Sequence, residues 1–175
     1  GFEGWKAWFV ETAALALRQI SDQSVAIFFQ TDIKREGRWV DKAYLVAKGA
    51  ELAAVELLWH KVVCRAPAGR ATFGRPAYAH LLCFSRELRL EPRDSFADVL
   101  PRLGEMPWPR AMGVDVCAAV CRFLKQSTTA TTVVDPFCGM GTMLAVANAH
   151  GLDAIGVERS AKRADRARAL LVERD

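Results

Sequence analysis

An α/β fold, with a sheet covered by helices on both faces, is what this sequence predicts. Short apolar, β-rich runs alternate along the chain with stretches of helical period. One of those runs, Val133-Val134-Asp135, passes through a glycine turn into an apolar helical stretch and is followed by another strand. The 175 residues suffice for one core without disulfide or metal staples, because a chain of this size buries roughly two-thirds of its unfolded surface.

The elements follow in order. Trp5, Trp8, Phe9, Thr12, Ala13, Ala16 and Ile20 stand at helical spacing, which predicts an amphipathic helix over residues 5–20. Ser24 to Phe29 is an apolar run of the kind found in a strand buried on both faces, and it ends at Gln30-Thr31-Asp32. A turn at Arg35-Glu36-Gly37 precedes a helix over 41–53. Val55 to Cys64 and Ala79 to Ser85 read as an antiparallel pair joined by a loop rich in Gly, Pro and Arg. Residues 86–110 are Pro-rich and irregular. Helix 114–124, strand 131–134, helix 141–150, strand 153–158 and a charged helix over 160–171 complete the chain.

Composition excludes several classes. The formal charge is +4, a modest surplus. No run reaches the ~18 apolar residues of a membrane helix, and the N-terminus lacks a leader's charged-then-apolar pattern. The five cysteines, Cys64, Cys83, Cys117, Cys121 and Cys138, are odd in number, lie in apolar stretches and form no C-x-x-C pair. They predict reduced core thiols, an intracellular compartment (cytoplasmic or nuclear) and no metal. The chain begins with Gly1 and not Met, which leads us to expect a fragment.

The segment Val133-Val134-Asp135-Pro136-Phe137-Cys138-Gly139-Met140-Gly141-Thr142 carries the chemistry. Gly139 and Gly141 let a ligand approach bare backbone, and the helix start offers unpaired N–H groups. Glu158 ends the next strand, where a carboxylate can accept both hydroxyls of a ribose. A nucleoside-binding βαβ unit follows. A dinucleotide site would need a third glycine where Leu144 stands, which makes a dehydrogenase the rival enzyme.

Here the residues resemble a family. D-P-F-C-G-x-G-T, an apolar helix and then G-V-E look like the S-adenosylmethionine (SAM) site of the amino-methyltransferases that modify N6 of adenine or N4 of cytosine; the resemblance spans about residues 131–168. It implies a Rossmann-like class I SAM methyltransferase sheet with an antiparallel strand pair, and SAM held by Asp135, Pro136, Phe137, Cys138, Gly139, Gly141, Thr142 and Glu158. Trp108-Pro109-Arg110-Ala111-Met112-Gly113 looks like the element that packs over the methionine end of SAM, although the family's Lys-Pro is not spelled out. Met112 and Gly113 would offer backbone there, and Arg110 either pairs with the carboxylate or is a solvated surface charge.

Chain order sets the expected architecture. Few residues follow Asp135, so the remaining strands must precede it, with 25–29 as strand five and 55–64 with 79–85 as the six/seven pair. That is a circularly permuted methyltransferase: one domain over 1–175, incomplete at its N-terminus, in which 1–110 holds strands five to seven and the substrate side and 111–175 the SAM-binding part. The five strands are expected in one sheet with a gap or foreign strand beside Val133–Val134. The family's catalytic tetrapeptide, Asp/Asn/Ser-Pro-Pro-aromatic, is absent, so catalytic residues are expected upstream of Gly1; Arg75-Pro76-Ala77-Tyr78 resembles it in the wrong place. Over its whole length the sequence also resembles uncharacterised methyltransferase-like proteins of plants and protists.

Candidate substrate residues lie at strand ends. Asp32 would contact substrate or the SAM amino group, or else cap its turn, and Lys34 would open into the cleft. Arg75 and Tyr78 belong to a loop region in which, from His60 to Arg93, seven Lys and Arg face two Glu; with Phe73 it suits a phosphate backbone or is merely solvated. His60, alone in an apolar strand, reads as structural ahead of general base. The expected activity is methyl transfer to an exocyclic amine of a nucleic-acid base. An inactive SAM-binding subunit, or an enzyme acting on a small molecule or protein, is the alternative.

Overall fold

The structure, a computed structural model, describes residues 1–173. The chain divides into two compact units, Gly1–Pro101 and Arg102–Asp175. The division falls ahead of position 110 because residues 102–105 are tied to the helix that follows. Leu103 O accepts Val116 N–H at 3.3 Å, Glu105 O accepts Val114 N–H at 2.9 Å, and Arg102 pairs with Asp115 at 2.6 Å.

The first unit runs α1 (Phe2–Arg18), β1 (Ala26–Gln30), β2 (Ile33–Arg35), β3 (Arg38–Val40), α2 (Lys42–Ala53), β4 (Glu56–Cys64), β5 (Tyr78–Ser85) and β6 (Val99–Leu100). Its main sheet has the order β1-β5-β4-β6. β5 is antiparallel to both β1 and β4, and β6 is parallel to β4. One face of β1 and β5 packs on the helices: Phe84 and Leu82 are buried with Leu17 of α1 and Val46 and Ala50 of α2, and Phe28 meets Phe84 edge-on at 6.1 Å. Each such side chain contributes about 1.5–3 kcal/mol by burial. α1 and α2 approach closely because position 49 is glycine; a Cβ there would stand 2.9 Å from that of Ala13.

The segment read as a bare turn at 35–37 is a hairpin, β2 paired with β3, closed by Glu36 and Gly37 at φ 50 and 76. Two positive φ values mark a type I′ turn, which the sequence hides by placing Glu rather than Asn before the glycine. In the segment read as irregular, β6 adds a two-residue rung to β4.

The second unit comprises α3 (Val114–Ser127), β7 (Thr132–Asp135), α4 (Thr142–Ala149), β8 (Asp153–Gly156) and α5 (Ala161–Ala169). β7 and β8 are parallel, with Val133 opposite Ala154 and Val134 opposite Ile155. α4 makes the crossover and buries Met143, Ala145, Val146 and Ala147. Among the described residues the five expected strands fall into two hydrogen-bonded sets, β1-β5-β4 in the first unit and β7-β8 in the second. Among the described residues no strand pairs with the second edge of either β1 or β7. The architecture is mixed α/β with an antiparallel pair. Among the described residues no helix is long and apolar enough to cross a membrane. All five thiols are free; Cys83, Cys117, Cys121 and Cys138 are buried and Cys64 half-buried.

Candidate functional site

The turn between β7 and α4 is built by backbone closure. Val157 N–H donates to Asp135 O at 2.9 Å, Cys138 N–H to Val157 O at 3.1 Å and Gly141 N–H to Cys138 O at 2.8 Å, so the end of β8 and the turn hold each other. Asp135 Oδ1 accepts Phe137 N–H at 2.9 Å. Gly139 and Gly141 take φ values of 57 and 82, which any side chain would strain. They differ in surroundings: a Cβ at Gly139 would meet nothing within 4 Å, whereas one at Gly141 would stand 2.8 Å from Cβ of Ala167 in α5. Gly139 leaves room over the turn, and Gly141 lets α5 close on α4.

Acidic groups converge on this turn. Burial, followed by the charges of Asp135 and Glu158, pushes the Cys138 thiol up. Burial also raises the Asp135 carboxyl above its ordinary range, with only the Phe137 N–H opposing it. Glu158 Oε1 accepts Ser160 N–H at 2.7 Å ahead of α5. Thr142, the first residue of α4, is buried with its Oγ1 lacking a hydrogen-bond partner. Glu158, expected to end the strand, lies two residues beyond β8, which stops at Gly156; an open glycine, an unpartnered hydroxyl at a helix start and a carboxylate just past the next strand fit a nucleoside cofactor with a ribose and a polar tail.

The remaining predicted cofactor residues lie just before α3. Gly113 is its N-cap and is pressed against Leu103, where a Cβ would collide with backbone. Met112 is half-buried, and Arg110 is exposed at φ 75. Pro136 and Phe137 are exposed, Phe137 by 69%. Cys117 of α3 lies near enough to Asp135 for the carboxylate to help keep its thiol protonated.

In the first unit, the structure makes Asp32 the anchor of a cluster that the sequence reading missed. Asp32 is buried; Oδ1 accepts Lys42 N–H at the start of α2 at 2.8 Å, and Oδ2 is 3.1 Å from His80 Nε2. His80 Nδ1 lies 3.0 Å from His60 Nε2. His60 is the one histidine of β4 but has a partner on β5: the register sets Val62 opposite His80 and His60 opposite Leu82, so the two rings are diagonal neighbours on one face. Asp32, Asp41 and His80 each bring a ligand atom within 4.8 Å of the others, but Asp41 already caps α2 by accepting Tyr44 N–H at 2.8 Å. Hydrogen bonds organise this group.

The basic region divides. Lys61 is buried and pairs with Asp98 at 2.6 Å. Arg86 donates to Ala53 O at 3.3 Å and to Ile20 O and Arg18 O at 3.4 Å, neutralising the carbonyl ends of two helices. Arg93 pairs with Glu91. The seven cations are therefore not one loop surface, since most have structural partners. Arg65, Arg70 and Arg75 remain in the loop, beside Tyr78, which meets His80 edge-on at 5.4 Å. Lys34 stands 3.9 Å from the centroid of the Phe73 ring and 5.0 Å from that of Trp39, and both rings are exposed.

No family model and no curated protein matches the sequence. Solved structures do. A candidate DNA modification methylase of Thermus thermophilus, complexed with S-adenosyl-L-methionine, superposes with TM-score 0.71 at 18% identity over 96% of this chain and 76% of its own. The M1.HpyAVI–SAM complex gives 0.65 at 13% over 91% and 80%. PvuII DNA methyltransferase, cytosine-N4-specific, gives 0.73 at 12% over 94% and 69%. At these identities the likeness establishes the fold.

Proposed function

We propose that this chain is the SAM-binding body of a methyltransferase that acts on an exocyclic amine of a nucleic-acid base. The observation that carries the reading is the β7–α4 turn, which holds Asp135, the open Gly139 and the unpartnered Thr142 hydroxyl, with Glu158 just beyond β8, whose end is hydrogen-bonded to the turn. Of the solved structures of like fold, two contain SAM by description and two are described as a DNA methylase or DNA methyltransferase, which supports cofactor and substrate class respectively. The similarity runs through nearly the whole chain, in keeping with a permuted order in which β1 is strand five and β4 with β5 the six/seven pair.

When bound, SAM supplies an electrophilic methyl group on a sulfonium centre. Glu158 would accept the ribose hydroxyls, the Asp135–Thr142 turn would line the nucleoside and sulfonium side, and Arg110, Met112 and Gly113 would receive the methionine tail. Substrate binding falls to the first unit. Lys34, Arg75 and Tyr78, with Phe73 and Trp39, offer cations for phosphate and rings for base stacking.

Calorimetry with S-adenosylhomocysteine and with NAD tests the cofactor, and tritiated methyl transfer by the intact protein to DNA, tRNA and rRNA tests the substrate. Binding of S-adenosylhomocysteine alone and label in nucleic acid are expected. Binding of NAD alone, or label confined to protein or metabolites, overturns the reading.

A further inference from the structure

Asp32, His80 and His60 form a chain of hydrogen bonds whose direction follows once both rings are neutral. A carboxylate accepts and does not donate, so the contact at 3.1 Å requires His80 to carry its proton on Nε2. A neutral ring protonated there has a lone pair on Nδ1. The 3.0 Å contact then requires His60 to donate from its own Nε2, which leaves a lone pair on Nδ1 of His60. His80 and Asp32 are buried, at 8% and 6% exposure, whereas His60 is exposed. Among the described residues no donor bonds to that last nitrogen. Its orientation is thus set through two rings by a carboxylate that the N-terminus of α2 holds in place.

Positive charge gathers beside this chain. Lys42 is close enough to be influenced by both Asp32 and Arg75, and Arg65, influenced by Arg75, donates to Thr31 Oγ1 at 3.3 Å. Burial and mutual repulsion hold both cations below their ordinary affinity for a proton, which an incoming anion would relieve. His60 is itself shifted downward, by burial and then by His80 against the opposing pull of Asp41 and Asp32, so the ring is neutral and able to accept near pH 7.

We propose that His60 Nδ1 is a hydrogen-bond acceptor subsite for a nucleotide, receiving an N–H or O–H of the nucleoside while Lys42, Arg65 and Arg75 receive its phosphate. The proposal rests on the nucleic-acid reading above for its ligand class. His80 and Asp32 are positioning residues: they keep the proton off Nδ1 and touch no ligand.

The test uses the three histidines as their own probes, by nitrogen-detected NMR of the intact protein. Native protein is expected to show both His60 and His80 protonated on Nε2. In Asp32→Asn the amide keeps its oxygen toward Lys42 N–H and turns its NH₂ toward His80, so both tautomers should invert to Nδ1–H. Adenosine 5′-monophosphate should shift the His60 Nδ1 resonance and bind about three- to tenfold more weakly to Asp32→Asn and to His60→Phe, the loss of one hydrogen bond. Inorganic phosphate should bind all three proteins alike. Purine riboside 5′-monophosphate, which lacks the amine, separates the donors: weaker binding assigns the amine, equal binding a sugar hydroxyl. Should Asp32→Asn not fold, the exposed His60→Phe carries the test. Unchanged tautomers in a folded Asp32→Asn, native affinity in His60→Phe, or no nucleotide binding by native protein overturns the proposal. S-adenosylhomocysteine affinity, measured alongside, shows separately whether the cofactor reading stands.

Discussion

Gly141 lies against Ala167 so closely that a Cβ added to the glycine would stand 2.8 Å from that of the alanine, while the same atom at Gly139 would meet nothing. Two glycines of one motif therefore have different physical roles. Both have positive φ, so alanine at either strains the backbone by about 1–2 kcal/mol. Gly141→Ala must also move α5, whose Cα at Ala167 is 3.0 Å away, adding about 1–3 kcal/mol of overpacking. Urea unfolding should show Gly139→Ala to be the milder change by at least about 1 kcal/mol. Gly139→Val should remain folded yet bind S-adenosylhomocysteine poorly, because its side chain would fill the open space over the turn. Equal stability losses for the two alanine variants would contradict the packing argument.

Asp135 is a carboxylate kept where folding disfavours its charge. Its folded pKa is raised by burial, and its one compensating contact is a backbone N–H that an asparagine oxygen accepts equally well. Asp135→Asn should therefore stabilise the ligand-free protein at neutral pH. The sign follows from linkage: the native carboxyl binds its proton more tightly than the unfolded one, so native protein loses stability as pH rises from the ordinary value of 3.8 through the raised one. The gain in the variant should be complete above that window and vanish below it. Thermal melts between pH 3 and pH 8 measure it, and calorimetry should show weaker cofactor binding in the same variant, the trade expected of a functional carboxylate. A variant less stable than native at pH 7 would contradict the account.

What the sequence revealed was local. The apolar run at 25–29 and the pair at 55–64 and 79–85 announced β1, β4 and β5 by their β-rich composition, but β1, read as buried on both faces, is half-buried along its length because among the described residues it pairs only with β5. The glycine turn was likewise legible in consecutive residues. The cluster at Asp32 was not, because it depends on register: the 13-residue loop between β4 and β5 does not fix how the strands align, and a bulge between Leu57 and Trp59 shifts them again. A register placing Val62 opposite His80 is the signal that would have paired the histidines. Counting cations likewise misled, since whether Arg86 faces solvent or the carbonyls of Arg18, Ile20 and Ala53 is decided by residues far away in sequence.

Lys61 shows the same dependence and gives an asymmetric prediction. Its side chain is 7% exposed, yet its partner Asp98 is 88% exposed, and Nζ also donates to Phe96 O at 3.0 Å above the Phe96 ring. The neighbouring Val62 N–H donates to Asp98 O at 2.9 Å, so the ammonium and the strand together pin the segment leading into β6. Asp98→Ala removes only an exposed carboxylate but leaves the ammonium of Lys61 with one carbonyl and a ring, a loss of about 1–3 kcal/mol where a buried charge is stripped of its partner. Solvent around Asp98 screens part of that, which places the expectation at the lower end, about 1 kcal/mol. Lys61→Met removes the charge together with its need for a partner and keeps an unbranched apolar side chain, so it should cost less or nothing. Urea unfolding of both variants and of the double variant decides the matter. Asp98→Ala should be the more damaging single change, and should lose most of its effect when Lys61 is already Met. If Lys61→Met proves the more damaging, the methylene packing and the Phe96 contact, rather than the ion pair, hold the segment.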